Sequence, residues 1–268
     1  MLQSVTQAIA QLANIKPVDK RFDFPCPVCW FGNINTDKPI ILTMGINPSD
    51  KEFINNRFRG FKDYWSYANP QDCIDAYNMY FDSANANPYK KWFGQAESFI
   101  NAAISRLYNR NASFYTSKLS AGDYQLLHVD LFPFATKPTW SRIKNSFNLS
   151  LSQLFSLYGE DLLCEIIDYL QTKAGRRIDK VIVFGKDIAE VLINGNYVQV
   201  LVDLGLFPSK CNSPRYIKKG ILQLYSKTGN KISPIPIAIS SISIGHAVPA
   251  YRGQPGKALA EHMDKLLI

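Results

Sequence analysis

A three-layer α/β/α fold around a central four-stranded, mostly parallel sheet is what this sequence predicts, and three observations carry the expectation. Short apolar runs stopped by Gly or Pro recur along the chain, amphipathic helical stripes separate them, and polar loop-forming residues follow them. Strands that alternate with helices form βαβ units, and such sheets bind ligands at the carboxyl ends of their strands. The chain has 268 residues, 46% apolar and 19% charged, enough to bury one sizeable core. Its 15 Gly and 15 Pro are scattered, which excludes a disordered or collagen-like chain. One domain is expected over 1–268, with an N-terminal extension (1–38) and an insertion (50–92).

The elements follow in order. Val5, Ala8, Ile9 and Leu12 recur at helical spacing, so 3–14 reads as an amphipathic helix leading into the connector FDFPCPVCWFG. Pro39 to Gly45 is a continuous apolar run ended by Gly, the pattern of a strand buried on both faces. Residues 50–92 are aromatic and polar with weak periodicity and read as partly helical material. Ala96, Phe99, Ile100, Ala103, Ile104 and Leu107 form a stripe that predicts a helix over 95–108. Leu126 to Phe132 is the second strand, stopped by Pro133. Leu162, Leu163, Ile166, Ile167 and Leu170 mark a further helix. Lys180 to Phe184 is the third strand, turning at Gly185 into a helix expected to be capped by Asp187. Ile235 to Ile244 is the fourth, followed by a Gly/Pro-punctuated loop and a last helix with Pro255 near its start.

Composition bounds the function. Thirty Lys+Arg against 22 Asp+Glu leave a net charge of +8, which suits a polyanionic partner. No run approaches the roughly 20 apolar residues needed to span a bilayer, so no membrane partner and a cytoplasmic location are expected. Five cysteines are sparse and odd in number, which argues against a disulfide framework. Cys26 and Cys29 have the spacing of a zinc knuckle, but no second pair completes four ligands, and Cys164 falls on the apolar side of its helix. Neither metal nor dissociable cofactor is expected.

Three loops carry the chemistry: Gly45-Ile46-Asn47-Pro48-Ser49 after the first strand, Asp130 at the end of the second, and Gly245-His246-Ala247-Val248-Pro249-Ala250-Tyr251-Arg252-Gly253 after the fourth. In a parallel sheet they converge. Each taken alone also fits ordinary loop punctuation, with His246 a surface histidine. Together the set resembles the uracil-DNA glycosylase superfamily. GINPS is similar to its first motif, and GHAVPAYRG resembles its last, with Ala247-Val248 in place of Pro-Ser; the resemblance spans 39 to 268.

The resemblance implies a monomeric hydrolase that flips a base out of single- or double-stranded DNA and cleaves its N-glycosidic bond, in a single uracil-DNA-glycosylase-like domain. Asn47 would orient the attacking water, helped by Gly45, Ile46, Pro48 and Ser49 around the base. His246 would donate to the charge developing on the leaving base. Phe93, before the expected helix, resembles the stacking element, with Phe58 and Phe61 as rivals. Pro249, Tyr251 and Arg252 would contact DNA and fill the vacated stack.

Asp130 departs from the Asn with which uracil readers end this strand. An ionised carboxylate only accepts hydrogen bonds, whereas a protonated one accepts from a cytosine amino group and donates to cytosine N3. A modified cytosine is therefore the favoured substrate, with phage DNA a natural source and antiviral defence the implied role; uracil is next. His128 alternates with Asp130, so the two can share a face, with His128 as a support for Asp130. Capping or a lysine partner is the plainer role for Asp130. A catalytically inactive nucleic-acid-binding protein of the same fold is the alternative. Lys210, Arg215, Lys218 and Lys219 around Tyr216 either track phosphates or form a solvated loop. His262 reads as a solvated helix residue.

Overall fold

The computed structural model describes residues 27–54, 70–83, 87–135, 147–173, 178–207, 215–225, 232–241 and 244. The expected helices over 3–14 and after Pro255 lie outside these residues, as do Cys26, Phe58, Phe61, Lys210, Cys211, His246, Pro249, Tyr251, Arg252 and His262.

The fold is mixed α/β, with a mostly parallel sheet. The four expected strands are present as β1 (Ile40–Gly45), β3 (Tyr124–Asp130), β4 (Ile178–Phe184) and β7 (Ile235–Ser240). The expected count of four is too low. Three more strands, β2 (Ala112–Ser113), β5 (Val198–Phe207) and β6 (Arg215–Leu222), complete seven in the order β2-β3-β1-β4-β7-β6-β5. Pairs from β2 through β7 are parallel, whereas β6 runs antiparallel to both β7 and β5. The extra strands arise where the sequence looks solvated: β6 carries Lys218 and Lys219, and β5 exposes Leu201, Val202 and Leu204. The basic segment is thus partly a strand. Lys218 pairs with Asp203 on β5 at 2.8 Å and sits over the Tyr216 ring.

β1 sits between β3 and β4, which explains its uninterrupted apolar run: Ile40, Leu42 and Met44 are fully buried. The chain leaves β1 towards β3 through α1 (Lys51–Ile54), α2 (Pro70–Asn78) and α3 (Lys90–Tyr108). It then crosses back past β1 to β4 through α4 (Leu151–Leu154) and α5 (Glu160–Asp168). Parallel crossovers are right-handed, so these opposed moves assign the two sets of helices to opposite faces. From β4 the chain continues the same way through α6 (Lys186–Asn194), which touches α4. Such a reversal of direction beside β1 opens a crevice at the strand ends.

Two helix boundaries differ from expectation. α3 starts at Lys90, five residues early, because the apolar stripe continues upstream through Phe93 and the exposed Gly94 meets no neighbour that would break it. Gly185, at φ +116°, occupies the start of α6, while Asp187 makes no capping bond and sits in the first turn, where a negative charge suits the helix dipole. Between α4 and α5 the backbone widens into a π-turn at Phe155–Gly159. Gly159 is required there: a Cβ would lie 1.8 Å from Leu131 O.

Residues 27–34 of the N-terminal extension lie antiparallel against β3 and its loop. Phe31 and His128 exchange both backbone hydrogen bonds, at 2.8 and 3.1 Å, and Val28 N donates to Pro133 O. Val28, Cys29, Trp30, Phe31 and Ile34 are all buried in the core, with Trp30 Nε1 donating to Asn78 Oδ1 on α2.

Candidate active site

The loop after β1 is tied to the loop after β3 by two backbone bonds, Leu131 N to Gly45 O (3.0 Å) and Phe132 N to Ile46 O (2.9 Å). Ser49 closes the loop onto α1, its hydroxyl accepting from Lys51 N and its carbonyl from Glu52 N. Asn47 Nδ2 donates to Pro48 O at 2.8 Å. The result is a cavity of about 130 Å³ over the carboxyl ends of β1 and β3. Gly45, Ile46, Asn47, Pro48, Ser49, Phe93 and Asp130, expected from separate segments, all line it.

Asp130 and His128 point the same way from β3, as alternation requires, with His128 Nε2 3.3 Å from Asp130 Oδ1 and both side chains almost wholly buried. His128 Nδ1 lies 2.9 Å from Thr43 Oγ1 on β1, and that hydroxyl donates to Leu127 O at 3.0 Å. Rings cage the imidazole: Trp92 at 4.3 Å, Phe93 at 5.4 Å and Phe31 at 5.8 Å between centroids. Gly45 supplies the remaining wall, since a Cβ there would lie 2.2 Å from Asp130 Oδ1 and 2.7 Å from His128 Nε2. Gly45 therefore does more than end a strand.

Phe93 lies in the first turn of α3 rather than ahead of it, and its ring packs against Phe31, Tyr80, Phe81, Trp92 and Phe114 as well as His128. At 6% exposure it offers the cavity little surface. Trp92, half-buried on the same cavity, offers more.

Phe31, Glu52, Tyr89 and Trp92 line the cavity without having been singled out from sequence. Trp92 adjoins a residue that was, and Glu52 follows Asn47 by one helical turn and a bit, but Phe31 and Tyr89 carry no sequence signal. Glu52 is buried and accepts a hydrogen bond from the Tyr80 hydroxyl, which in turn accepts from Tyr89 N. Among the described residues lining the cavity there is no lysine or arginine, so the pocket suits hydrogen-bond donors better than phosphate.

Cys29 is buried, and burial, with Cys73 nearby, pushes its thiol well above the ordinary range, which suits packing rather than reactivity. Cys164 is buried as expected, its thiol directed at Tyr225 O. Among the described residues no cluster of three His, Cys, Asp or Glu is arranged to hold a metal ion, and no helix is long and apolar enough to cross a membrane. The chain matches no family model, no curated protein and no solved structure.

Proposed function

We propose that this protein is a DNA glycosylase of the uracil-DNA glycosylase type that hydrolyses the N-glycosidic bond of a flipped-out modified cytosine. The observation that carries the reading is convergence: Asn47, Asp130 and Phe93, 83 residues apart at their extremes (47 to 130), line one cavity at the strand ends. Its volume is below the roughly 300–1,000 Å³ usual for drug-sized ligands, the scale of a single heterocycle rather than a whole nucleotide. Its acidic, aromatic wall suits a flat ring with an amino group. The net charge of +8 supports a DNA partner.

In this mechanism the base enters the cavity and stacks against Trp92 and the edge of Phe93. The C1′–N1 bond stretches, the sugar becomes cationic, and Asn47 holds the attacking water by its side-chain carbonyl. Asp130 reads the amino edge of the base. His246 donates to the O2 of the leaving base, and Tyr251 or Arg252, beside Pro249, occupies the emptied stack. Phage DNA, rich in substituted cytosines, is the proposed target, and defence the proposed role.

The test is a panel of oligonucleotides bearing uracil, hypoxanthine, xanthine, 5-hydroxymethylcytosine and glucosylated 5-hydroxymethylcytosine, read as alkali-labile abasic sites. Excision of a substituted cytosine, lost in Asn47→Ala, is expected. Salt-dependent DNA binding without an abasic site on any substrate would instead identify an inactive binding protein.

A further inference from the structure

We infer that Glu52 is a second reader of the base, and that the hydrogen bond it accepts selects cytosines whose C5 substituent carries a hydroxyl over those that carry a methyl. The inference deepens the glycosylase reading and rests on it for the identity of the ring, but the preference itself is measurable on free bases.

The cavity is lined by two acidic side chains from separate elements, Asp130 at the end of β3 and Glu52 on α1. Glu52 is only 2% exposed. A group that meets a carboxyl so far from water has to be a hydrogen-bond donor, because an apolar group pressed against it strips hydration and returns nothing. The position of Glu52 is fixed from behind. Its backbone N donates to Ser49 O at 3.0 Å, which ties α1 to the loop after β1. Tyr89 N donates to the Tyr80 hydroxyl at 3.0 Å, so that hydroxyl turns its own proton onto Glu52 Oε2. The Tyr80 ring packs in turn on Phe31 and Phe93, with centroids 4.9 and 5.7 Å away. A carboxylate offers about four acceptor positions, more than Tyr80 takes, and a protonated carboxyl still keeps its carbonyl acceptor.

Cytosine has few donors to offer. Its O2 and N3 accept, N1 is bonded to the sugar, and only the exocyclic amino group donates, with one hydrogen towards N3 and the other towards C5. In the proposed mechanism Asp130 takes the N3 side, and the O2 edge belongs to His246. An acceptor such as Glu52 has no partner on O2, so it is left the C5 side. There the ring itself supplies one amino hydrogen. A hydroxymethyl group on C5 adds a second donor, whereas a methyl group adds none and crowds the first. Glu52 thus favours a hydroxyl-bearing substituent and penalises a methyl of nearly the same shape, which is how a buried acceptor discriminates more sharply than an apolar wall.

Two measurements decide this. Excision of 5-hydroxymethylcytosine and of 5-methylcytosine from otherwise identical oligonucleotides is compared as kcat/KM. The two free bases are also titrated into the full chain and followed by tryptophan fluorescence, since Trp92 lines the cavity. The wild type should prefer the hydroxymethyl base by up to about 10⁴-fold in kcat/KM, the scale at which a site built to bond a hydroxyl rejects an analogue without one. It should also bind that free base more tightly. Glu52→Met combined with Tyr80→Phe removes the acid and its donor together, so neither is left facing an empty partner, and should abolish the preference in both measurements. Glu52→Gln keeps a carbonyl acceptor and should keep the order of preference. A Glu52 that serves only to hold Tyr80 would lower the melting temperature of the double variant and leave the ratio of the two bases unchanged, which overturns the inference. Equal excision of both bases by the wild type overturns it while leaving the glycosylase reading intact. No excision of either base removes that reading, and the titrations then decide alone: a hydroxymethyl preference lost in the double variant upholds Glu52 as a reader, and equal or no binding overturns it.

Discussion

Gly45 faces both His128 and Asp130, and a hydrogen is the only side chain that fits between them. Gly45→Ala would drive a methyl into Asp130 Oδ1 and His128 Nε2. Overpacking of this kind costs about 1–3 kcal/mol, measurable by urea denaturation. Displacing Asp130 by about 1 Å should cost on the order of 10²-fold in excision rate. Lys180 gives a second expectation. Burial and the neighbouring Lys219 lower its pKa to about 8 from the ordinary 10.5. The unfolded chain therefore binds more protons between those values, and stability rises with pH across that window. Below it the lysine is charged in both states and its burial counts fully against folding. Lys180→Met should raise stability at neutral pH and flatten the rise between pH 8 and 10.5, as seen by denaturation at a series of pH values. Of the site, the sequence revealed those residues whose type is unusual for their position: Asn47 and Pro48 after a Gly-stopped strand, and Asp130 at the end of an apolar run. Phe31 and Tyr89 stayed hidden because an aromatic residue in an irregular segment looks the same whether it lines a cavity or fills a core.

Among the elements, β3 depends on a buried amide. Gln125, fully buried, donates to Ser113 O, Phe114 O and Leu126 O and accepts from Thr116 Oγ1, so it fastens β2 and the following turn to the sheet. Gln125→Leu removes these bonds and should cost about 1–3 kcal/mol for each buried group left unpaired, checked by thermal denaturation. Ser150 begins α4 with a reciprocal pair of bonds to Gln153. Ser150→Ala should cost about 1 kcal/mol by the same measurement. The central strands were legible because burial on both faces demands continuous apolar runs. β5 and β6 were not, because β5 lies at the sheet edge with Leu201, Val202 and Leu204 exposed, and β6, between β5 and β7, carries Lys218 and Lys219. Their register shifts near Val200 and Asp203 also break the alternation a strand would show. α3 starts earlier than the stripe from Ala96 predicts, because Phe93 extends that stripe upstream and Gly94 faces open space.

At the scale of the whole molecule, DNA binding and chemistry would fall on different parts of the proposed glycosylase. Attachment of the proposed glycosylase to DNA would draw on the net charge of +8, whereas the cavity is lined by acids and rings. Asn47→Ala should therefore leave DNA affinity within about twofold while abolishing abasic-site formation, and affinity of both proteins should fall linearly in log–log form with added salt, as measured by fluorescence anisotropy.

The segment 27–34 also bears on how the chain is made. Phe31 is matched to His128, so at roughly 5–20 residues per second a ribosome takes about 5–20 s between exposing Phe31 and releasing the strand that pairs with it. During that interval Tyr77, Asn78, Tyr80 and Phe93 emerge and can take up the two aromatic side chains, Trp30 and Phe31, while the backbone bonds of Phe31 wait for His128. The segment therefore gains its side-chain packing before its backbone pairing, and it can dock on the helices while the strand that fixes its register is still being made.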